Sequence, residues 1–457
     1  MNKPFPSLLD TISIDDKYSL EHGRVFMTGT QALIRLPMLQ RQRDRQGGLN
    51  TAGFISGYRG SPLGGVDLAA WRAKQYLEAQ QITFRPGLNE DLAATSIWGT
   101  QQVGMFPGAK VDGVFSMWYG KGPGVDRCGD VFKHGNNAGS SLRGGVLVIA
   151  GDDHGAKSSS LAHQSEHALK AAGIPVLYPS SVQEFLDYGL HGWAMSRYTG
   201  LWVAMKCVTD LVESGASIEV NPDRVQIVLP TDFALPPDGL NIRWPDSPQD
   251  QEARMNQFKW YAAMAYARAN RLNQIVWDSP KARIGIITTG KSYADTRQAL
   301  ADLGIDEAAA KDIGIRLYKV GMNWPLEAEG VRRFARGLDE ILVVEEKRQM
   351  IEYQLKEELY NLPDTERPRV VGKFDDTGEW TNLRGAGHGE WLLPSIGELS
   401  PSKIARAITS RVLKYFADHP IGQRVRIRMQ ERAAYLQAKE DSLKLTLPPD
   451  SDRDRIP

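Results

Sequence analysis

Short apolar runs alternate with amphipathic stretches along the amino-terminal half of this chain. TAGFISGY (51–58), VDGVFSMWY (111–119), GGVLVIAGDD (144–153) and IPVLYPSS (174–181) have the length and β-branched content of buried strands. Between them, TQALIRLPMLQRQR (30–43) reads as a helix kinked at Pro37, and EDLAATSIWGTQQV (90–103) as a helix of small residues. Strands alternating with helices predict an α/β fold, a parallel sheet with helices on both faces. The pattern lapses between about 215 and 280, where VNPDRVQIVLPTDFALPPDGLNIRWPDSPQDQEAR is rich in Pro and Asp and weakly periodic.

Alternation resumes at Ala282. RIGIITTG, IGIRLYKVG and EILVVEEK read as strands, SYADTRQALADLG and PLEAEGVRRFARG as the helices between them. PSKIARAITSRVLKYF (401–416) is an amphipathic helix, and KLTLPPDSDRDRIP after it a polar, mobile tail. The expected organisation is an arm (1–20), a first α/β domain (21–214), a linker (215–280), a smaller α/β domain (281–400) and a helix with its tail (401–457).

Composition narrows the function classes. Lys and Arg number 55, as do Asp and Glu, so no net field favours nucleic acid or anionic lipid. The two cysteines, Cys128 and Cys207, cannot form a disulfide framework or hold an iron–sulfur cluster, and they fit a reducing cytoplasm. No run approaches the length of a membrane span, and prolines and acids interrupt the start where a secretory signal would be apolar.

Two motif matches compete with a third. GIITTGKS (285–292) fits the phosphate-loop pattern, but Ile286, Ile287, Thr288 and Thr289 fill the positions that must curl around phosphate, and they read as strand. LAHQSEHALK carries HxxEH in His163, Glu166 and His167, the inverted zinc-peptidase pattern, without an evident third ligand; a zinc hydrolase stays an alternative, and no metal ligand is assigned. Asp152, Asp153 and His154 close a strand at the end where open sheets bind ligands. The third signal is distributed over strand ends: SGYRGSPLGG (56–65), LNEDLAATSIWGTQ (88–101) and YGKGPGVDR (119–127).

That order, a carboxylate opening a helix of small residues and then a strand and a Gly-Pro-Gly turn, resembles the pyrimidine-binding domain of thiamine diphosphate enzymes. The nearest likeness is to the 2-oxoacid:ferredoxin oxidoreductases, and within them to the indolepyruvate ferredoxin oxidoreductases, as the N-terminal portion of the long fused bacterial form. TTGKS, GMNWP and VVEE in the second domain resemble the carboxy-terminal domain of transketolases. The resemblance implies that Glu90, followed by Asp91, is the carboxylate that activates the cofactor through its aminopyrimidine. Tyr119, Gly120, Lys121, Gly122, Pro123 and Gly124 would line the cofactor. Tyr58 and Ser61, with Arg59 where the family has a different residue, and His154 would face the substrate.

The family's GDG motif for Mg²⁺ and its cluster cysteines are absent; Gly129-Asp130 before Asn136-Asn137 is too short to replace the first. Diphosphate-binding and iron–sulfur domains or subunits are therefore expected elsewhere, with ferredoxin, CoA and a 2-oxoacid as partners of an assembled oligomeric enzyme. The alternative is a catalytically inactive binding subunit or a truncated product.

Overall fold

The computed structural model describes residues 12–157, 159–375 and 391–446. Its strands are β1 (Gly23–Thr28), β2 (Ala52–Gly57), β3 (Ile82–Phe84), β4 (Val114–Lys121), β5 (Val146–Asp152), β6 (Val176–Leu177), β7 (Val203–Val208), β8 (Gly215–Val220), β9 (Asn273–Trp277), β10 (Ile284–Thr289), β11 (Ile315–Val320), β12 (Met322–Trp324), β13 (Glu340–Val344) and β14 (Arg369–Val371). They form a seven-stranded sheet ordered β12-β6-β7-β5-β4-β2-β3, a five-stranded sheet ordered β14-β13-β10-β11-β9, and the antiparallel pair β1-β8. Both large sheets are parallel except at one edge, where β12 runs against β6 and β9 against β11.

The central strands are apolar because both faces are covered. On one face of the first sheet the helices Gly29–Gln46 and Val182–Thr199 pack with Phe115, Met117 and Tyr119. On the other, Ala93, Ala94 and Ile97 of the helix Glu90–Thr100 pack on Trp118, Val146 and Val148. Helix Gly29–Gln46 continues through Pro37 and opens with a capping box between Thr28 and Gln31. No helix among the described residues is long and apolar enough to cross a membrane.

Four expectations need correction. The span 215–280 is not simply a linker: it holds β8, helical residues from Pro248 to Ala269, and β9, which belongs to the second sheet. Ala262, Ala263 and Tyr266 are buried there, and only 221–247 is irregular, so the proline-rich part hid a packed one. The expected arm is not free over 16–20, because the helix Asp16–Ser19 buries Tyr18, whose carbonyl accepts from Arg35. A second helix, Pro420–Thr446, follows Pro401–Phe416 and takes in the start of the expected mobile tail; 447–457 lie outside the described residues. Finally, β12 comes from the second domain's sequence yet completes the first sheet.

Lys259 closes the amino-terminal side of this core. It ends a π-helical turn, Met255–Lys259, and its ammonium lies 3.3 to 3.5 Å from the carbonyls of Asn136, Asn137 and Gly200, at the ends of two helices. Burial, helped by Arg254, pushes its pKa down to about 7. Between there and the ordinary lysine value the unfolded chain binds the proton that the folded chain releases, so this group makes stability rise with pH. Lys259→Met should lower stability at every pH by roughly 1–3 kcal/mol, because three carbonyls lose a donor. It should also flatten the rise between pH 7 and 10, as measured by urea denaturation midpoints.

Candidate functional site

The carboxyl ends of β2, β4, β5 and β7 open on one edge, and the expected residues lie along it. Asn89 caps the helix that begins at Glu90, its Oδ1 accepting from the Leu92 amide at 2.9 Å. That cap fixes Glu90 in the first turn, where the helix dipole favours its charge. Trp118, buried under the helix, donates its indole N–H to the Glu90 carbonyl at 3.2 Å. Glu90 is only 7% exposed, yet its carboxylate takes part in no hydrogen bond or ion pair among the described residues.

The reason it fits is Gly124. A Cβ there would stand 2.6 Å from Glu90 Cγ and 2.9 Å from Oε1, so only glycine leaves the carboxylate its place. Gly122-Pro123-Gly124 is the first turn of a helix, Gly122–Arg127, and not the free turn the sequence suggests; Pro123 sits where a helix needs no amide donor. Gly122 does for His163 what Gly124 does for Glu90, since a Cβ on it would meet the imidazole at 2.4 Å. His163 Nε2 is 3.1 Å from Asp126 Oδ2 on the same helix. The loop 58–65 closes the row: Gly60 packs on the aliphatic stem of Lys121, and Pro62 and Leu63 are buried against Gly151.

Glu90, Lys121, Gly122, Pro123, Gly124 and the loop carrying Tyr58, Arg59 and Ser61 thus share one edge. Tyr119 does not. It points to the opposite face from Trp118, is 1% exposed, and donates its hydroxyl to Asp67 Oδ1 at 2.6 Å. Strand alternation, not recognisable from the motif, turns it away. Gly120 is closed off as well, its Cα lying against the Trp118 ring. His154 is buried at the junction with the second domain, 4.0 Å from Glu346, and does not line an open surface.

Neither competing motif survives. Ile286 to Thr289 pair inside β10 with β11 and β13, so their amides serve the sheet. Lys291 is engaged by Asp295 at 2.7 Å and the Leu399 carbonyl at 3.0 Å. His163 precedes the helix Glu166–Ala171 rather than sharing a face with His167, and Glu166 is bound to Lys206. Among the described residues no group of three or more metal-ligating side chains occurs. A residue that motif reading missed is Asp126, whose helical position three after Pro123 could have paired it with a passing histidine.

A cavity of about 840 Å³ lies away from this edge, between the ends of the helices Gly29–Gln46 and Val182–Thr199 and the irregular segment 221–247. It touches none of the expected site residues.

Comparison places this architecture. The 2-oxoglutarate:ferredoxin oxidoreductase from Magnetococcus marinus, solved with 2-oxoglutarate, coenzyme A and succinyl-CoA bound, superposes with a TM-score of 0.59 at 16% identity, over 85% of this chain and 65% of that one. The fold is that of the 2-oxoacid:ferredoxin oxidoreductases. Residues 273–446 match the family model described as indolepyruvate ferredoxin oxidoreductase middle domain, starting where β9 starts. Indolepyruvate oxidoreductase subunit IorA of Methanothermobacter marburgensis is 25% identical over 407 residues, 87% of this chain and 56% of that protein. The IorA subunit of Pyrococcus abyssi is 27% identical over 278 residues, 58% and 37% respectively. The chain is similar in sequence to these indolepyruvate oxidoreductase subunits, and it spans about half the length, or less, of the curated proteins it matches.

The glycine contacts carry a direct test. Gly122→Ala should force the imidazole out, lowering thermal stability by roughly 1–3 kcal/mol. It should also raise the rate at which diethyl pyrocarbonate modifies His163, read by peptide mass spectrometry.

Proposed function

We propose that this chain is the pyrimidine-side component of a thiamine diphosphate-dependent 2-oxoacid:ferredoxin oxidoreductase acting on an indolepyruvate-like substrate. The observation that carries the reading is Glu90: a largely buried side chain whose carboxylate is unengaged among the described residues, held at a helix start beside a glycine. A carboxylate without a protein partner at the carboxyl end of a parallel sheet is placed to hydrogen-bond a ring nitrogen of a bound ligand. The residues fit the cofactor on that ground.

Thiamine diphosphate supplies, when bound, the carbanion chemistry that lets a 2-oxoacid lose its carboxylate. The chain's own part is narrower. Glu90 holds a proton at the pyrimidine side, and Gly124 leaves its carboxylate the room to stand there. Tyr58, Arg59 and Ser61, on the loop crossing Lys121, stand on the same edge for the substrate carboxylate. In the whole reaction the bond between carboxylate and carbonyl carbon breaks, CO₂ leaves, the acyl group passes to CoA and two electrons pass to ferredoxin. The groups that bind the diphosphate with Mg²⁺ and carry the iron–sulfur clusters belong to other segments or subunits in this reading. Leu88 and Leu92, exposed on either side of Glu90 in sequence, offer apolar surface for such a segment to cover.

Glu90→Gln should lower turnover of the assembled enzyme by about 100-fold or more while circular dichroism and the melting temperature stay unchanged. Retained turnover would remove Glu90 from its role. Calorimetric titration of thiamine diphosphate with Mg²⁺ should show tight binding only when the diphosphate-binding partner is present; no binding even then would leave a docking subunit without catalysis.

A further inference from the structure

Where β5, β6 and β7 meet the second domain, the chain buries an ionic group of unusual size. Lys206 of β7 is 1% exposed, donates to Glu166 Oε1 at 2.6 Å and lies 3.4 Å from Asp152 Oδ2. Its ammonium also sits 4.8 Å from the centre of the Tyr178 ring. Ser165 holds Asp152 through both its amide and its hydroxyl. Asn323 of β12 reaches Glu166 Oε1 at 3.5 Å, and Glu346, beyond His154, accepts from the Leu399 amide. Every charge here has a protein partner.

The remaining polar atoms do not. Both ring nitrogens of His154, Glu166 Oε2 and Asn323 Oδ1 are buried and find no hydrogen-bond partner among the described protein groups, while the Tyr178 hydroxyl lies against the Lys291 amide. His154, Glu166 and Asn323 are nearly sealed from bulk solvent, so the surrounding liquid does not serve these atoms. Native interiors leave few such groups bare, and four of them stand around one ion pair. Burial together with Lys206, Lys347, Lys291 and Lys373 drives the His154 pKa well below its usual value, so the ring is neutral, with one donor and one acceptor nitrogen to be served. A buried water makes about three hydrogen bonds, so roughly two or three molecules would satisfy the set.

We infer that the seam between the two domains holds a cluster of ordered water bonded to His154, Glu166 and Asn323. This makes the seam a hydrated contact on its carboxyl side, and it gives His154 a role that an exposed substrate ligand would not have. The cluster stands behind Ser165, at the base of the loop that leads back to His163, and does not depend on any cofactor.

A crystal structure of the wild-type chain tests this directly: ordered solvent density should stand within hydrogen-bond distance of at least two of the four atoms. A seam without such density overturns the inference.

Discussion

The pairing of Met322–Trp324 with Val176–Leu177 governs the arrangement of everything else. A strand drawn from the second half of the sequence becomes the edge of the first sheet, and its flanks are fixed on both sides. Tyr178 donates its amide to the Gly321 carbonyl at 2.8 Å, while Asn273 Oδ1 accepts from the Gly321 and Met322 amides. Met322 is fully buried, so the strand cannot slip without exposing it. One short ladder therefore sets how two sheets face each other. The reciprocal bonds between Gln164 and Arg348 and the approach of His154 to Glu346 are consequences of that orientation.

The same constraint separates the two kinds of polar chemistry in the first domain. Towards the second domain, β5 ends in Asp152 and β7 carries Lys206, charges that are paired and closed in. Away from it, β2 and β4 end in the loop 58–65 and the helix start at Gly122, where the chain withholds side chains and leaves Glu90 unengaged. Between these regions His163 packs its imidazole onto Gly122. A parallel sheet makes this possible because all its loops of one kind emerge at one edge.

Gly57, Gly122 and Gly124 each touch a side chain or backbone at distances no Cβ could occupy. Such positions resist change whatever the surface around them does, since substitution requires the packed neighbour to move. The expected Tyr119 lies one residue from this edge but serves the core, which shows how little separates lining residue from packing residue in a strand.

The sequence alone determined the local elements: the apolar runs became β2, β4, β5, β10, β11 and β13, because buried parallel strands need continuous apolar character and their length cannot hide it. It also determined Glu90 as the start of a helix, since Asn89 and the small residues after it encode the cap and the close packing. It could not show that 248–277 is packed structure, because the proline-rich stretch before it carries the local signal, while the burial of Tyr266 and the pairing of β9 come from contacts distant in sequence. Nor could it show which way Tyr119 faces, or that His154, just past the end of β5, is closed in by the second domain. Side-chain direction along a strand follows register, and register is settled by neighbouring strands that only the tertiary structure brings together.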